Sequence, residues 1–263
     1  MTPMTPVPLT LSSAEFSVLA SLSEGVQLLE DWILPLQPTT TQVVFEGLLS
    51  RELLRQVAGE RFVAPVEVAP LLGPLLTAVC AIDALVLTAR DEHSDEPPGP
   101  AVAVHALVGA DGTVIEHAPR PGGLHALWLS SPGQVAARAV AALGLSAGER
   151  AASTVRGEPL TLTAEQLGRV SRSLLASAPP SSPEEALPEA PQFAEAMLNA
   201  DGARSFSVAY ATDDGDLAAA EVRWIDGADA GCWTVAANAE QTLVRRVART
   251  ELAAQITGLV ADA

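Results

Sequence analysis

Lysine is absent from this chain of 263 residues, so all 15 of its basic residues are arginine. They stand against 32 acidic residues and leave a net charge of −17. Binding to nucleic acid or to an anionic membrane surface requires cations that neutralise phosphates. The shortage of positive charge therefore argues against both kinds of partner and favours a protein or a cationic ligand.

Cysteine residues are also scarce, as are apolar stretches long enough to span a membrane. Cys80 and Cys232 lie far apart in apolar runs, a pattern typical of buried free thiols. The Thr/Pro-rich N-terminus lacks the basic and apolar regions of a signal peptide. The longest apolar stretch, 70–88, is interrupted by Pro74 and Asp83 and is predicted to be a core helix, not a membrane span. The sequence predicts a folded cytoplasmic protein without membrane insertion.

Motifs of the common enzyme classes are missing. The sequence has no phosphate-binding Gly-rich loop and no Gly-x-Ser-x-Gly motif. His105, His117 and His125 fall in one predicted meander and could meet around a metal if neighbouring strands place them on one face. No further ligand stands beside them at a metal-binding spacing. We therefore expect no catalytic residue, no metal site and no cofactor.

Two other classes of function stay open. An enzyme assembled from distant residues would combine the three histidines with Asp226 or Glu116, in a deep pocket with perturbed ionisation. An adaptor or immunity-type protein would use a broad, shallow apolar surface, as any protein-binding module does. The sequence favours binding to another protein over catalysis.

A weak internal repeat is the most informative feature that the chain does contain. The segment VPLTLSSAEF at 7–16 reappears as EPLTLTAEQL at 158–167. In each copy an extended Leu-Thr-Leu piece runs into a helix that a capping box can start. The residues of these boxes are Ser12 with Glu15 in the first copy and Thr163 with Gln166 in the second.

The repeat predicts one domain over 1–263, built from half-repeats at about 7–145 and 158–261. Each half is predicted as a strand, helices, a three-stranded meander and a closing helix. Two short meanders protect their edges best by joining into one sheet. The expected fold is α+β, with a central antiparallel sheet flanked by helical bundles and a pseudo-two-fold axis. The predicted meander strands are 101–108, 113–117 and 124–129, then 204–211, 217–225 and 232–236; the closing helices begin at Ser131 and Asn238.

Two Pro-rich segments separate these elements. The segment 177–191 is rich in Pro, Ser and Glu and is predicted to be a flexible linker between the halves. The acidic segment 91–100 is predicted to be a second exposed, mobile loop.

Residues of the second half resemble a known family. The run EVRWIDG at 221–227, then GCWTV at 231–235, then a long amphipathic C-terminal helix, resemble the EspG family of actinobacterial proteins associated with ESX (type VII) secretion. The capped first helix, Gly47-Leu48-Leu49 and the two related halves fit the same outline. The composition, rich in Ala, Gly and Pro and free of Lys, is also typical of a GC-rich genome such as that of an actinobacterium.

This resemblance implies a cytosolic chaperone that binds the helical tip of PE–PPE secretion substrates and keeps them soluble for export. It also implies substrate contacts from the central sheet, from a loop between strands of the first half and from the C-terminal helical region. By position, that loop supplies the expected partner-binding residues, and the chain is expected to be a monomer or a weak homodimer. The loop residues are Pro119, Arg120, Pro121, Gly122 and Gly123.

Overall fold

The computed structural model describes residues 8–23, 25–58, 61–65, 68–88, 101–146, 157–174, 182–200, 202–227, 231–237 and 241–263. Secondary structure in the first half of these ranges begins with a short strand, passes through helices and ends in a meander and a closing helix. Its elements are β1 (Leu9–Ser12), α1 (Ser13–Ser21), a 3-10 helix (Val26–Trp32), α2 (Pro38–Ser50), β2 (Arg55–Ala58), β3 (Arg61–Val63), α3 (Ala69–Leu76), β4 (Ala78–Thr88), β5 (Ala101–Gly109), β6 (Val114–Arg120), β7 (Leu124–Ser130) and α4 (Pro132–Ala142).

The second half follows the same plan with other helices between its short strand and its meander. Its elements are β8 (Leu160–Thr163), α5 (Ala164–Leu174), α6 (Pro183–Ala186), α7 (Pro191–Leu198), β9 (Gly202–Ala211), β10 (Leu217–Asp226), β11 (Cys232–Ala237), β12 (Gln241–Val247) and α8 (Arg249–Ala261).

Ten of the strands form one antiparallel sheet, in the order β1-β7-β6-β5-β4-β9-β10-β11-β12-β8. Each edge of the sheet is a short strand, β1 or β8, and next to it lies the last strand of a meander, whose other strands follow in reverse chain order towards the centre. The two meanders meet where β4 pairs with β9. The predicted α+β class with a central antiparallel sheet is therefore confirmed. The superposition of the two halves about an axis between β4 and β9 stays a prediction.

Both predicted capping boxes are present. Glu15 Oε2 accepts from the backbone N–H of Ser12 at 2.8 Å, and the Glu15 N–H donates to Ser12 Oγ at 3.2 Å. Thr163 and Gln166 exchange the corresponding bonds at 2.7 and 3.3 Å. Each four-residue strand therefore ends directly in a capped helix, because the cap satisfies N–H groups that the helix leaves unpaired.

The prediction of one core helix over 70–88 was wrong. The helix α3 ends at Leu76, Thr77 forms its C-cap, and β4 occupies the rest of the stretch. A strand buried on both faces reads as a continuous apolar run, so its hydrophobic pattern cannot be told from that of a buried helix.

The start of the last helix was also predicted wrongly. Asn238 lies outside the described residues, and the chain from Gln241 to Val247 is β12, which pairs with both β11 and β8. Helix α8 begins only at Arg249, with Ala248 as its N-cap. Together, β4 and β12 make each meander four-stranded where three strands were predicted.

Part of the predicted flexible segment 177–191 is folded. Ser182 caps α6 through its side chain, which accepts from the Glu185 N–H, and Pro183 takes the first helical position. Leu187 is fully buried behind this helix. The local apolar content is low, but Leu187 reaches a core built by other elements. Residues 177–181 and the predicted mobile loop 91–100 lie outside the described residues.

The hydrophobic core lies on both faces of the sheet. One face, here the α4–α8 face, packs against α4 and α8 through residues such as Ala139 and Ile256. The other, here the two-layer face, carries two separate helical layers. The first layer (α1, the 3-10 helix, α2 and α3) packs on the first meander, and the second layer (α5, α6 and α7) packs on the far end of the second.

Candidate functional site

The loop predicted to bind a partner is the exposed hairpin between β6 and β7. Pro119 and Arg120 end β6, and Pro121, Gly122 and Gly123 form the turn, all of them exposed. Gly122 and Gly123 have φ angles of +79° and +69°, a conformation that glycine adopts without strain. The loop is therefore exposed to solvent, and its role in binding a partner stays a prediction.

The tip of this loop is tied to the start of α1. The carbonyl oxygen of Gly123 accepts from the backbone N–H of Ser13 at 2.8 Å and from Ser13 Oγ at 2.9 Å. The loop and the first helix are therefore joined through one residue at the N-terminus of α1.

The three histidines do lie together on the two-layer face, as adjacent strands allow. His117 Nδ1 is 3.3 Å from His105 Nδ1, and His117 Nε2 is 2.7 Å from His125 Nδ1. His125 Nε2 is 3.0 Å from Ser13 Oγ, and His105 Nδ1 is 3.5 Å from Asp83 Oδ1. These five residues form a continuous row, here the histidine chain, from the N-terminus of α1 to the middle of the sheet.

Two aromatic residues of the first helical layer cover the chain. Phe16 of α1 stacks on His117 and His125 at centroid distances of 4.7 and 4.4 Å. Trp32 of the 3-10 helix packs on His105 and His117 at 4.6 and 4.9 Å. The rings are therefore cut off from water by the same layer that supplies Ser13.

Burial dominates the ionisation of these rings. It lowers the pKa of His117 to about 2, with a further contribution from His105 and His125. Burial also lowers the pKa of His105, against the opposing effect of Asp83, and burial with His105 lowers the pKa of His125. All three rings are therefore neutral at pH 7, because burial disfavours the charged imidazolium and, at His105, outweighs the effect of Asp83.

The arrangement does not resemble a metal centre. His117 uses its two ring nitrogens in opposite directions, so the three rings do not converge on one point. In the described part of the chain, no group of three or more His, Cys, Asp or Glu residues could hold a metal ion.

The contact between Ser13 and His125 looks like part of a hydrolase triad, but its hydrogen bonds run the other way. A nucleophilic serine donates its proton to the histidine. Here Ser13 Oγ donates to the Gly123 carbonyl, so it accepts from His125 Nε2. Ser13 is therefore placed to hold the loop.

The carboxylates proposed to join the histidines in an enzyme lie elsewhere. Glu116 points to the opposite face of β6, where it accepts from Ser130 Oγ at 2.5 Å and from Arg138 Nε at 2.7 Å. Asp226 accepts from Arg204 at 2.7 Å and from Arg249 at 2.6 Å. Those arginines outweigh burial and keep the pKa of Asp226 below its usual range.

Asp83 is the carboxylate that reaches the histidines, and sequence reasoning did not assign it. The sequence did contain a feature that could have identified it, because Asp83 is the one charged residue in the apolar stretch 70–88. Cross-strand pairs put it beside His105 on one side and Ser207 on the other. Its side chain is 30% exposed. Asp83 therefore joins the buried histidine chain to the surface at the middle of the sheet.

That surface is a strip of β9 and β10 that the two helical layers leave uncovered. The 3-10 helix of the first layer contacts β4 and β9, and α7 of the second layer contacts β10 and β11. Between them most side chains on the two-layer face are small, and several are exposed. The strip, here the open strip, comprises Ala203, Ser207, Ala209, Ala219, Glu221 and Arg223.

Two cavities among the described residues are small and lie away from the histidine chain. One of about 300 Å³, between the end of α8 and the central strands, is lined by residues that include Val208, Tyr210 and Leu259. Another of about 340 Å³ lies along the 3-10 helix and is lined by residues that include Val26 and Ile33. Neither is lined by a histidine, so neither combines a deep pocket with the perturbed groups.

The described residues thus define an α+β protein with one long antiparallel sheet, an exposed hairpin beside α1 and an open strip between two helical layers. Within the same residues, none of the helices has both the length and the apolar character that a membrane span requires.

No protein-family model matches the sequence, and no curated protein does. Among solved structures, the chain is similar to the type VII secretion system chaperone EspG5 of Mycobacterium tuberculosis, solved in complex with a PE25–PPE41 dimer. The two are 13% identical, the match covers 95% of this chain and 94% of that one, and the TM-score is 0.49. A likeness of this size establishes neither the family nor the function of this chain.

Proposed function

We propose that this chain is a cytosolic chaperone or adaptor of a type VII secretion system, which binds the helical tip of a PE–PPE-type substrate and keeps it soluble for export. The proposal joins the sequence resemblance to the EspG family with the surfaces that the fold leaves open. It requires no cofactor and no catalytic group.

The open strip is the observation that carries the proposal. On β9 the side chains of the two-layer face are Ala203, Ser205, Ser207 and Ala209, all small. Small side chains let a helix approach a sheet closely, and the two helical layers would then flank the bound helix as the walls of a groove. Recognition of a helix in a groove is a common mode of peptide binding.

The charges on the strip suit a partner that presents both apolar and polar residues. Glu221 and Arg223 are exposed and paired with each other, with 2.6 Å between Arg223 Nε and Glu221 Oε1. Exposed pairs of this kind contribute little to stability. They are therefore available to exchange partners when another protein binds.

Co-expression with PE–PPE pairs from the same genome, followed by pull-down and size-exclusion chromatography, tests the proposal. We expect at least one pair to form a stable complex. Ala219→Arg should abolish that complex, because a long cation would project from the exposed floor of the strip.

The matched control is Ala236→Arg on β11, also an exposed strand alanine but on the α4–α8 face. It should leave the complex intact. Failure to bind any PE–PPE pair would contradict the substrate assignment, and equal loss with both variants would remove the strip from the interface.

A further inference from the structure

In the neutral histidine chain each ring has one N–H, and that N–H donates one hydrogen bond to the next member of the row. All of these bonds run in one direction, from His105 towards Ser13. Ser13 Oγ donates to Gly123, so His125 donates through Nε2 and its Nδ1 must accept. His117 then donates through Nε2 and accepts at Nδ1 from His105 Nδ1–H. The remaining ring nitrogen, His105 Nε2, has no hydrogen-bond partner among the described residues, as suits a nitrogen without a proton.

An added proton has no favourable position in this row. A protonated imidazole donates from both nitrogens. On His117 the second N–H would face the N–H of His105 across 3.3 Å, and on His125 it would face the N–H of His117 across 2.7 Å. On His105 it would leave a buried donor unpaired, which is costly. Reversing the tautomers only moves the conflict to another member of the chain.

We propose that the histidine chain is a proton-operated latch, which fastens α1 and the β6–β7 loop to the sheet while its rings are neutral and releases them when the rings take up protons. The latch goes beyond the proposed binding function, and its test uses the protein without a partner, so failure of one leaves the other standing.

The charged groups around the chain do not compensate a proton within it. Asp83 of β4 is the carboxylate in contact, with its buried Oδ1 3.5 Å from His105 Nδ1, and the burial of His105 outweighs the attraction of this carboxylate for a proton. Glu15 of α1 is engaged with Ser12 and Arg51. Glu116 of β6 is on the opposite face with Arg138. Relief from the proton therefore requires the rings to reach water, and that requires the layer above them to move.

The layer above is held to the sheet through the histidine chain and through β1, which runs into α1 and pairs with β7. Phe16 of α1 and Trp32 of the 3-10 helix pack on the rings, and Ser13 joins His125 to the carbonyl of Gly123. Exposing the rings to water requires α1 to move off them, and that movement pulls Ser13 away from Gly123 at the end of the β1–β7 ladder. The second helical layer contains no histidine among its described residues, so the same change leaves it in place.

The direction of the effect follows from linkage. In the closed state α1 and the loop are fastened over neutral rings, and in the open state they are released and the rings can take up protons. The closed state therefore binds fewer protons than the open one. It is fully stable above a pH of about 6.5, the ordinary pKa of histidine, and loses stability as the pH falls below that value. Each ring that stays neutral when closed and titrates normally when open favours opening about tenfold per pH unit. Three such rings favour it about a thousandfold per unit.

Backbone amide exchange of Ser13 tests the latch directly, because its N–H is bonded to Gly123. Between pH 7.5 and 5.5, after correction for intrinsic exchange, we expect its protection to fall about a thousandfold, against less than tenfold for amides of β11 and β12. The variant His125→Gln keeps a polar side chain that does not titrate, and it should reduce the fall at Ser13 to about a hundredfold.

Ring NMR of the unmodified protein provides a second measurement if the variant does not fold. We expect protons on Nε2 of His117 and His125 and on Nδ1 of His105 at pH 7.5. Normal titration of these rings near pH 6.5 in the closed state would overturn the proposal. So would a fall in protection that is equal at Ser13 and in β11 and β12, because that would be unfolding of the whole molecule.

Discussion

Single glycines show how tightly the elements are joined. A Cβ atom on Gly25 would lie 1.8 Å from the carbonyl oxygen of Ala78, so the chain before the 3-10 helix runs directly against β4. A Cβ atom on Gly227 would lie 2.5 Å from the Cα of Ala196 in α7. In both cases the added Cβ atom would meet backbone atoms, which cannot move aside as the end of a flexible side chain can.

The substitution Gly227→Ala should therefore destabilise the protein. Since the added methyl would force α7 away from the end of β10, we expect a loss of about 2 to 3 kcal/mol in the free energy of unfolding. Urea unfolding followed by circular dichroism measures this loss.

Gly258→Ala is the control for that substitution. Gly258 is exposed within α8, and a Cβ atom there meets nothing within 4 Å. Replacing a helical glycine by alanine should stabilise by about 0.5 to 1 kcal/mol. Equal effects of the two substitutions would show that α7 is not packed against Gly227 as described.

At the scale of elements, the features that the sequence predicted are those that local interactions decide. The two capping boxes, for example, each depend on two residues three positions apart in the sequence. The strands β4 and β12 were missed because their apolar spacing also fits a helix, and because each has one partner distant in sequence, β9 for β4 and β8 for β12. Leu243 and Val247 have helical spacing, yet the ladder with β11 determines their conformation.

The two missed strands also change which positions of the two meanders the tryptophans occupy. The predicted third strands of the two meanders, 124–129 and 232–236, contain Trp128 and Trp233 and would give them corresponding positions. With four strands a meander, Trp128 lies in the fourth strand of the first and Trp233 in the third strand of the second. Trp233 is buried in the second helical layer, where its ring packs against Phe193.

Truncation after Gly231 should abolish folding. It removes β11, β12 and α8, and with them the buried Leu252 and Ile256 of the α4–α8 face. It also leaves β8 without its partner strand. We expect no cooperative thermal transition by circular dichroism.

Truncation after Ala261 provides the comparison, since it removes only two exposed residues beyond α8. That variant should melt cooperatively, close to the full chain. A soluble, cooperatively melting product from the longer truncation would contradict the assignment of β11, β12 and α8 to the core.

For the whole molecule, the sequence predicted which surfaces exist better than it predicted what lies beneath them. The exposed loop at 119–123 follows from its Pro and Gly residues. The histidine chain depends on register, because only the pairing of β4 with β5 and of β5 with β6 brings Asp83, His105 and His117 into one row. The open strip depends on where two helical layers stop, and no local pattern contains that information.

The substitution Arg120→Glu should separate binding from stability. Arg120 is an exposed cation at the end of β6 in a strongly acidic chain. If the loop contacts the partner, reversing this charge should weaken binding by about tenfold. The melting temperature should change by less than about 2 °C, since exposed substitutions rarely alter stability.

Arg55→Glu makes the same change of charge on β2, which belongs to the separate two-stranded sheet. Isothermal titration calorimetry with a PE–PPE pair should show unchanged affinity for this variant. Equal weakening by both variants would point to the overall charge of the chain, and unchanged affinity for Arg120→Glu would remove the loop from the interface.

The two edges of the ten-stranded sheet are its shortest strands. β1 and β8 have four residues each, and each turns at once into a capped helix. A long sheet with open edges would be a template on which further chains could add strand by strand into fibres. Here an incoming strand would find too few backbone groups to pair with, so the protein should not assemble into fibres even at high concentration.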